Sequence, residues 1–515
     1  MILRKKVLQS SVLLTVTRWI RQAVRAASYI ILARLLDPYD YGIATLAQVP
    51  IGLLGIAAAV GMGSALVSTR AEIEKAAPHG LLLVLTVATT MTLASLVLAS
   101  FYADALGRPE LTDVCRAMAI VILCDGLYSI PKAVLSRTMS FRWIAIADTV
   151  STIFGIGIAI VLAYLGFGYW SLVWSSVGSV ASRLLIVVWK SPVHQWLRIV
   201  PWDRELAYQL SRYGLSATGT NLFYYTHTNG DYLVTGKLFG PEILGNYTQG
   251  FRLANLPTEL FHSSFDQVLF PAYAQLRDDK ERLARVFLSS CRMLALVLFP
   301  TAIGMFCLAP ELVVVLVGEK WSDSIPFLQI FAFQGLVRAA YDIFIALFNS
   351  VDKPHYAFQS TLVSISVMAL GIMISIVLKL PPEGVALSVL GGNVAGLIFD
   401  VGLLRYRMTL PLRAMDFVVQ TLPIALTSGV MFLCVSGLKQ VALTHGIATA
   451  TLPMLAALII SGVLSYAGAL FVIKPSLIGE ALDVALVALG RESLFQGVKS
   501  RRAIAAILLQ VFRRP

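Results

Sequence analysis

The sequence predicts an all-α polytopic membrane protein with about 14 transmembrane helices, arranged as two pseudo-symmetric six-helix lobes followed by two C-terminal helices. Three observations carry this expectation. Of 515 residues, 57% are hydrophobic and only 14% charged, whereas soluble globular chains carry roughly 25% charge. The stretches Leu81 to Ala103, Thr149 to Ser182, Phe417 to Leu438 and Gln440 to Ile473 contain no Asp, Glu, Lys or Arg, and a bilayer-spanning helix needs about 20 apolar residues. The basic residues gather in alternate loops. A β-barrel is disfavoured because its strands alternate over short segments, and these runs are continuously apolar between Gly, Pro and charge clusters.

Taken in order, the apolar segments stand at 8–34, 40–68, 80–103, 112–136, 143–165, 167–189, 210–236, 243–273, 284–308, 325–349, 355–378, 384–404, 416–437 and 448–473. With a cytoplasmic N-terminus, the cytoplasmic loops, termini and span edges hold 26 of the 41 Lys and Arg residues; the opposite loops hold 6, and 9 lie inside spans. This asymmetry is the positive-inside pattern. It supports an even span count with both termini cytoplasmic. It also explains the net charge of +12 with no nucleic-acid partner, which would require a contiguous basic face.

The extramembrane segments are short. Ala309 to Ser324 reads as an interfacial amphipathic helix and leaves no room for a catalytic domain on the far side. The N-terminal Met1-Ile2-Leu3-Arg4-Lys5-Lys6 resembles the start of a signal peptide, but the following Arg18, Arg21 and Arg25 and the lack of a small-residue cleavage site predict that it is retained. The tail 474–515, with Arg501, Arg502, Arg513 and Arg514, reads as a surface helix attracted to anionic membrane lipids. Cys115, Cys124, Cys291, Cys307 and Cys434 lie in or beside apolar spans, without a paired framework or metal spacing, and read as packing residues.

An internal repeat divides the chain. Arg34-Leu35-Leu36-Asp37-Pro38-Tyr39-Asp40-Tyr41-Gly42 lies over Lys237-Leu238-Phe239-Gly240-Pro241-Glu242-Ile243-Leu244-Gly245, so a basic residue, Leu, Pro and Gly recur in register. The expected organisation is an N-terminal lobe over 1–190, a cytoplasmic linker over 191–209, a C-terminal lobe over 210–406, two further helices over 407–473 and the basic tail. Two six-span lobes enter the membrane from one side, as in transporters whose halves rock about a central cavity.

Charges inside spans are costly and usually face a cavity or a partner. Arg18, Arg21 and Arg25 are three and four apart on one helical face. Such a guanidinium stripe suits a phosphate, which Arg binds bidentately. The weaker alternative is an amphipathic entry helix lying partly in the interface, with the span starting near Ala26, since Ala26 to Leu36 alone is too short to cross. Arg252, near Pro257 with Glu259, His262 and Asp266, is either a cavity contact or part of a paired structure. Arg338 and Asp342, four apart, form a neutralising helix pair or a substrate contact. Arg292, close to the cytoplasmic end of its span, reads as structural.

The run Tyr224-Tyr225-Thr226-His227-Thr228-Asn229-Gly230-Asp231 combines aromatic faces with neutral polar groups. It lines a sugar path through Tyr224, Tyr225, His227 and Asn229, or forms a polar helix–helix seam. Asp231 and Asp266 are candidate sites for ion coupling. Pro50, Pro131, Pro257 and Pro300 permit kinks. The six His residues are scattered, and no HExxH, GxSxG or P-loop motif accompanies them; no catalytic residue, metal site or cofactor is expected.

Taken together, Leu32-Ala33-Arg34-Leu35-Leu36-Asp37-Pro38-Tyr39-Asp40-Tyr41-Gly42, Asp231-Tyr232-Leu233-Val234-Thr235-Gly236 with Gly245-Asn246-Tyr247, Phe270-Pro271-Ala272-Tyr273 and Val317-Gly318-Glu319-Lys320-Trp321 resemble, in order and spacing, the polysaccharide transporter family of lipid-linked oligosaccharide flippases. That family belongs to the multidrug/oligosaccharidyl-lipid/polysaccharide exporter superfamily. The resemblance covers about residues 8 to 410. It implies a two-lobed bundle in the bacterial inner membrane that moves undecaprenyl-pyrophosphate-linked oligosaccharide outward for exopolysaccharide, capsule or O-antigen assembly, alongside other polysaccharide-assembly proteins. Arg18, Arg21, Arg25, Arg252 and Arg338 would then meet the pyrophosphate, with a proton or sodium gradient as the energy source. A membrane glycan polymerase or ligase is the runner-up, and it lacks the large periplasmic loop such enzymes present. A cation-coupled drug exporter comes third, because the first span has no acidic residue before Asp37.

Overall fold

A computed structural model describes residues 24–192, 202–408 and 410–475 together with Gln22, Leu477 and Gly479; within 259–268, and at Pro271 and Ala414, only the helix backbone is described. Among the described residues all regular structure is helical. Arg18, Arg21 and the tail beyond Gly479 lie outside them, as does the side chain of Asp266.

A helix over 24–35 (α1) leads to α2 (Pro38–Ala59), α3 (Met62–Ser68), α4 (Ile73–Leu106), α5 (Glu110–Arg137), α6 (Phe141–Tyr164), α7 (Tyr169–Lys190) and α8 (Arg204–Phe239). There follow α9 (Pro241–Gln275), α10 (Lys280–Cys307), α11 (Ala309–Leu316), a 3-10 turn at Glu319–Ser324, α12 (Ile325–Ser350), α13 (Pro354–Val377), α14 (Glu383–Tyr406), α15 (Ala414–Thr444) and α16 (Leu452–Ile473). Eleven helical segments among the described residues are long and apolar enough to cross a membrane. The protein is a multi-pass membrane protein. The three other expected spans fall at α1, where most of the expected span 8–34 lies outside the described residues, and at α8 and α9, helices of 36 and 35 residues with too many polar side chains to count as spans by composition. The number fourteen is therefore not fixed.

The chain forms two compact units, Met1–Thr248 and Gln249–Pro515. In the first, α5 is the central helix, packed on α2, α4 and α7, with α6 against α7. Hydrocarbon gives helices no hydrophobic reason to associate, so small residues and interhelical hydrogen bonds do the joining. Between α6 and α7 the Ser175 hydroxyl donates to the Gly155 carbonyl at 2.8 Å. Helix α2 starts at Pro38, whose missing N–H costs nothing at a first turn. Asp40 fixes that corner: one carboxylate oxygen accepts from the Asp37 amide at 3.1 Å and the other from the Tyr169 amide at 2.9 Å.

The two copies of the repeat meet inside the first unit. A β-carbon on Gly42 would overlap the Pro241 carbonyl, and one on Gly245 would overlap the Pro38 carbonyl. The start of α2 and the start of α9 thus cross backbone to backbone, each glycine seated on the other copy's proline.

In the second unit α13 packs along α14, α12 bridges α10 and α14, and α15 joins α10 to α16. Its aromatic core contains Tyr273, Phe287, Phe344 and Phe348, with Phe287 edge-on to Phe344 at 5.0 Å between centroids. The segment Ala309 to Ser324, expected as one helix, is divided into α11 and the 3-10 turn, and Trp321 in that turn is fully buried. Glu311 on α11 is held by Lys439 of α15 at 2.8 Å.

Candidate functional site

Helix α2 does not run straight into α3. Val60 and Gly61 both adopt positive φ, 47° and 55°, a conformation costly for a β-branched residue. The corner is held because Gly61 and Gly214 of α8 touch backbone to backbone: a β-carbon on either would overlap a carbonyl of the other segment, Gly214 at Gly61 and Val60 at Gly214. The break opens a cavity of about 530 Å³ bounded by α2, α3, α5 and α8.

Its polar wall comes from α5. Asp125, Tyr128, Ser129, Lys132 and Ser136 all line the cavity, and their spacing of three, one, three and four residues places them on one helical face. Arg183 of α7 forms an ion pair with Asp125 and stands over the Tyr128 ring, 4.2 Å from its centroid. Lys132, exposed, has its ammonium 5.6 Å from the centroid of the same ring. The Tyr128 hydroxyl donates to Asp148 of α6 at 3.3 Å. Tyr213 and Asn221 of α8 complete the lining. The arrangement offers a cation, an aromatic face, hydroxyls and an amide in one opening between α2, α3, α5 and α8. It is chemically suited to an anionic or glycosylated headgroup.

The residues singled out from the sequence lie elsewhere. Arg25 is exposed on α1, its carbonyl accepting the Ser28 hydroxyl at 2.8 Å. Of the α8 run, Tyr224 is exposed, and the Tyr225 hydroxyl donates to the Gln48 and Val49 carbonyls at 3.3 and 3.2 Å. His227 is half-buried. The Asn229 amide donates to the Tyr225 carbonyl at 3.0 Å, and the buried Asp231 accepts the Tyr247 hydroxyl at 2.6 Å. Arg252 and Arg338 are half-buried on α9 and α12; Arg292 donates to Gln420 of α15 at 2.8 Å. None of these lines the cavity. Sequence reasoning missed Lys132, Arg183, Asp125 and Asp148, although the polar stripe of α5 was visible as Asp125-Tyr128-Ser129-Lys132-Ser136.

The pattern of the polysaccharide biosynthesis protein family matches residues 31–326, more than half of the chain. The chain belongs to this polysaccharide biosynthesis family. Within it, the chain is 28% identical over 327 residues to the succinoglycan biosynthesis transport protein ExoT of Rhizobium meliloti, covering 63% of this chain and 65% of that one. It is 24% identical over 323 residues to the lipopolysaccharide biosynthesis protein WzxC of Escherichia coli, covering 60% and 63%. The alignments thus span a little under two thirds of these curated relatives. ExoT is named as a transport protein and not as an enzyme, in line with the sequence expectation. The fold is similar to that of a solved structure titled lipid II flippase MurJ, inward closed conformation, with a TM-score of 0.74 at 15% identity over 91% of this chain and all of that one. An inward-facing MATE transporter of the MOP superfamily matches at a TM-score of 0.61 and 18% identity over 76% of this chain and 94% of that one. The resemblance to the polysaccharide transporters of that superfamily, read from the sequence motifs, agrees with both.

Proposed function

We propose that this family member is a flippase of the bacterial inner membrane. Its cargo is an undecaprenyl-pyrophosphate-linked oligosaccharide, carried from the cytoplasmic to the outer leaflet for exopolysaccharide, capsule or O-antigen synthesis. The observation that carries the reading is the polar cavity between α2, α3, α5 and α8 of the first unit, with Lys132 and Tyr128 on its wall. Its volume of about 530 Å³ lies within the usual range for pockets that hold a small ligand. A pyrophosphate flanked by sugars cannot cross about 30 Å of hydrocarbon unaided; a cationic, hydrated opening lowers that barrier while the prenyl chain stays in lipid. The names of ExoT and WzxC, with the MurJ-like fold, support the same cargo class.

In this reading both termini are cytoplasmic, and the lobes 1–190 and 210–406 alternate access to the cargo. Arg18, Arg21 and Arg25 receive the pyrophosphate, with Arg252 and Arg338 as later contacts. Sugars pass along Tyr224, Tyr225, His227 and Asn229. The test is the leaflet distribution of lipid-linked oligosaccharide in cells lacking the protein. Accumulation on the cytoplasmic leaflet supports flipping, whereas normal transfer with unpolymerised units outside indicates a polymerase and removes the proposal. Arg21→Glu is expected to abolish polymer export with the protein still inserted.

A further inference from the structure

Asp400 sits on α14 with no solvent exposure, and both of its carboxyl oxygens are buried without a hydrogen-bond partner among the described residues. Helix α14 packs against α12 and α13. From α13, the fully buried Ser364 hydroxyl likewise has no partner, and the Ser360 hydroxyl donates to the Gly396 carbonyl at 3.5 Å, one turn from Asp400. From α12, the Tyr341 hydroxyl shares a 2.8 Å hydrogen bond with Thr361. The charged or titratable groups on these helices are Arg338, Tyr341 and Asp342 on α12, His355 and Tyr356 on α13, and Glu383, Arg405 and Tyr406 on α14. Of these, Tyr341 stands within electrostatic reach of Asp400, as does the Ser360 hydroxyl, and no cation among the described residues forms an ion pair with it.

An ionised carboxylate in such a setting costs several kcal/mol even after relaxation, and an acid inside a membrane-spanning helix is by default a functional residue. We propose that Asp400 is a proton-carrying site: it holds a proton in this conformation and yields it to water when α12, α13 and α14 part. The chemistry is a single transfer, in which the carboxyl O–H bond breaks, the carboxylate keeps the electron pair and water takes the proton. A proton fits better than a metal cation, since a cation needs several oxygen ligands and no group of three or more metal-binding side chains exists among the described residues. Asp400 stands six residues before the end of α14, roughly 9 Å along the axis, so the short route to water leads past Arg405. That the proton drives translocation rests on the flippase reading above; that a proton is held at Asp400 does not.

The test is infrared difference spectroscopy of the purified full chain in lipid nanodiscs, wild type against Asp400→Asn, from acid to alkaline buffer. A neutral-carboxyl band that shifts on deuteration, persists into alkaline buffer and is lost in Asp400→Asn is expected. Identical spectra from the two proteins overturn the proposal, as does a wild-type band that responds to sodium and not to pH. A second measurement uses proteoliposomes loaded with a fluorescent polyprenyl-pyrophosphate disaccharide. Wild-type flipping should accelerate under an imposed proton gradient, Asp400→Asn should lose the acceleration and Asp400→Glu should recover part of it. Acceleration retained in Asp400→Asn refutes the coupling. If the wild type moves no probe at all, the flippase reading fails and the infrared result still decides the site.

Discussion

Arg183 and Lys132 flank one tyrosine ring, yet they are held differently. Arg183 is neutralised by Asp125, and Lys132 is exposed on the cavity wall. Lys132→Gln should therefore change thermal stability by less than about 0.5 kcal/mol while lowering polymer export, measured as secreted polysaccharide per inserted protein. Arg183→Leu should cost about 1–3 kcal/mol, because it strips a carboxylate of its charged partner. Side-chain exposures of 28% and 36% keep this below the cost of breaking a fully buried pair. The double change Asp125→Leu with Arg183→Leu should recover part of the loss, and a double-mutant cycle in detergent melts reads the coupling. A result in which the two single losses simply add refutes the pairing. Sequence reasoning did not single these residues out. It could not show that Asp125 and Arg183, 58 positions apart, neutralise each other, since that depends on how α5 and α7 pack.

Helices were the most legible level, because hydrophobic length is a local property and a bilayer permits few alternatives to a helix. The apolar runs at 80–103, 112–136, 143–165 and 167–189 became α4 to α7. The run 40–68 became two helices, and the break was not legible. Val60 tolerates its positive φ only because the Gly61 corner seats on Gly214, more than 150 positions away in sequence. Gly214→Val is expected to lower stability by about 1–3 kcal/mol through overpacking and to reduce binding of a polyprenyl-pyrophosphate probe by the purified protein, since the corner frames the cavity. Unchanged melting and binding would mean that the α2–α3 break does not depend on this contact. Helices α8 and α9 show the converse limit. Their polar faces weakened the apolar signal, although both run for more than thirty residues.

At the scale of the whole molecule, the repeat at 34–42 and 237–245 was readable as a recurrence of Pro and Gly but not as a contact. Repetition in a sequence says that two segments share a shape, not that they touch. Gly245→Leu should leave the chain inserted in the membrane, because the apolar segments are unaltered, yet abolish export; normal export would show that the crossing can be loosened freely. The reciprocal seating has a mechanical corollary. With carbonyls pressed directly on α-carbons and no side chain between them, the crossing behaves as a fulcrum. Helix α2 runs on for 17 residues from Gly42 to Ala59, roughly 26 Å, so a tilt of about 10° at the fulcrum sweeps its far end through about 4.5 Å and leaves the crossing itself unmoved. A lever of that length turns a small adjustment at the glycines into a displacement wide enough to admit or expel a sugar ring.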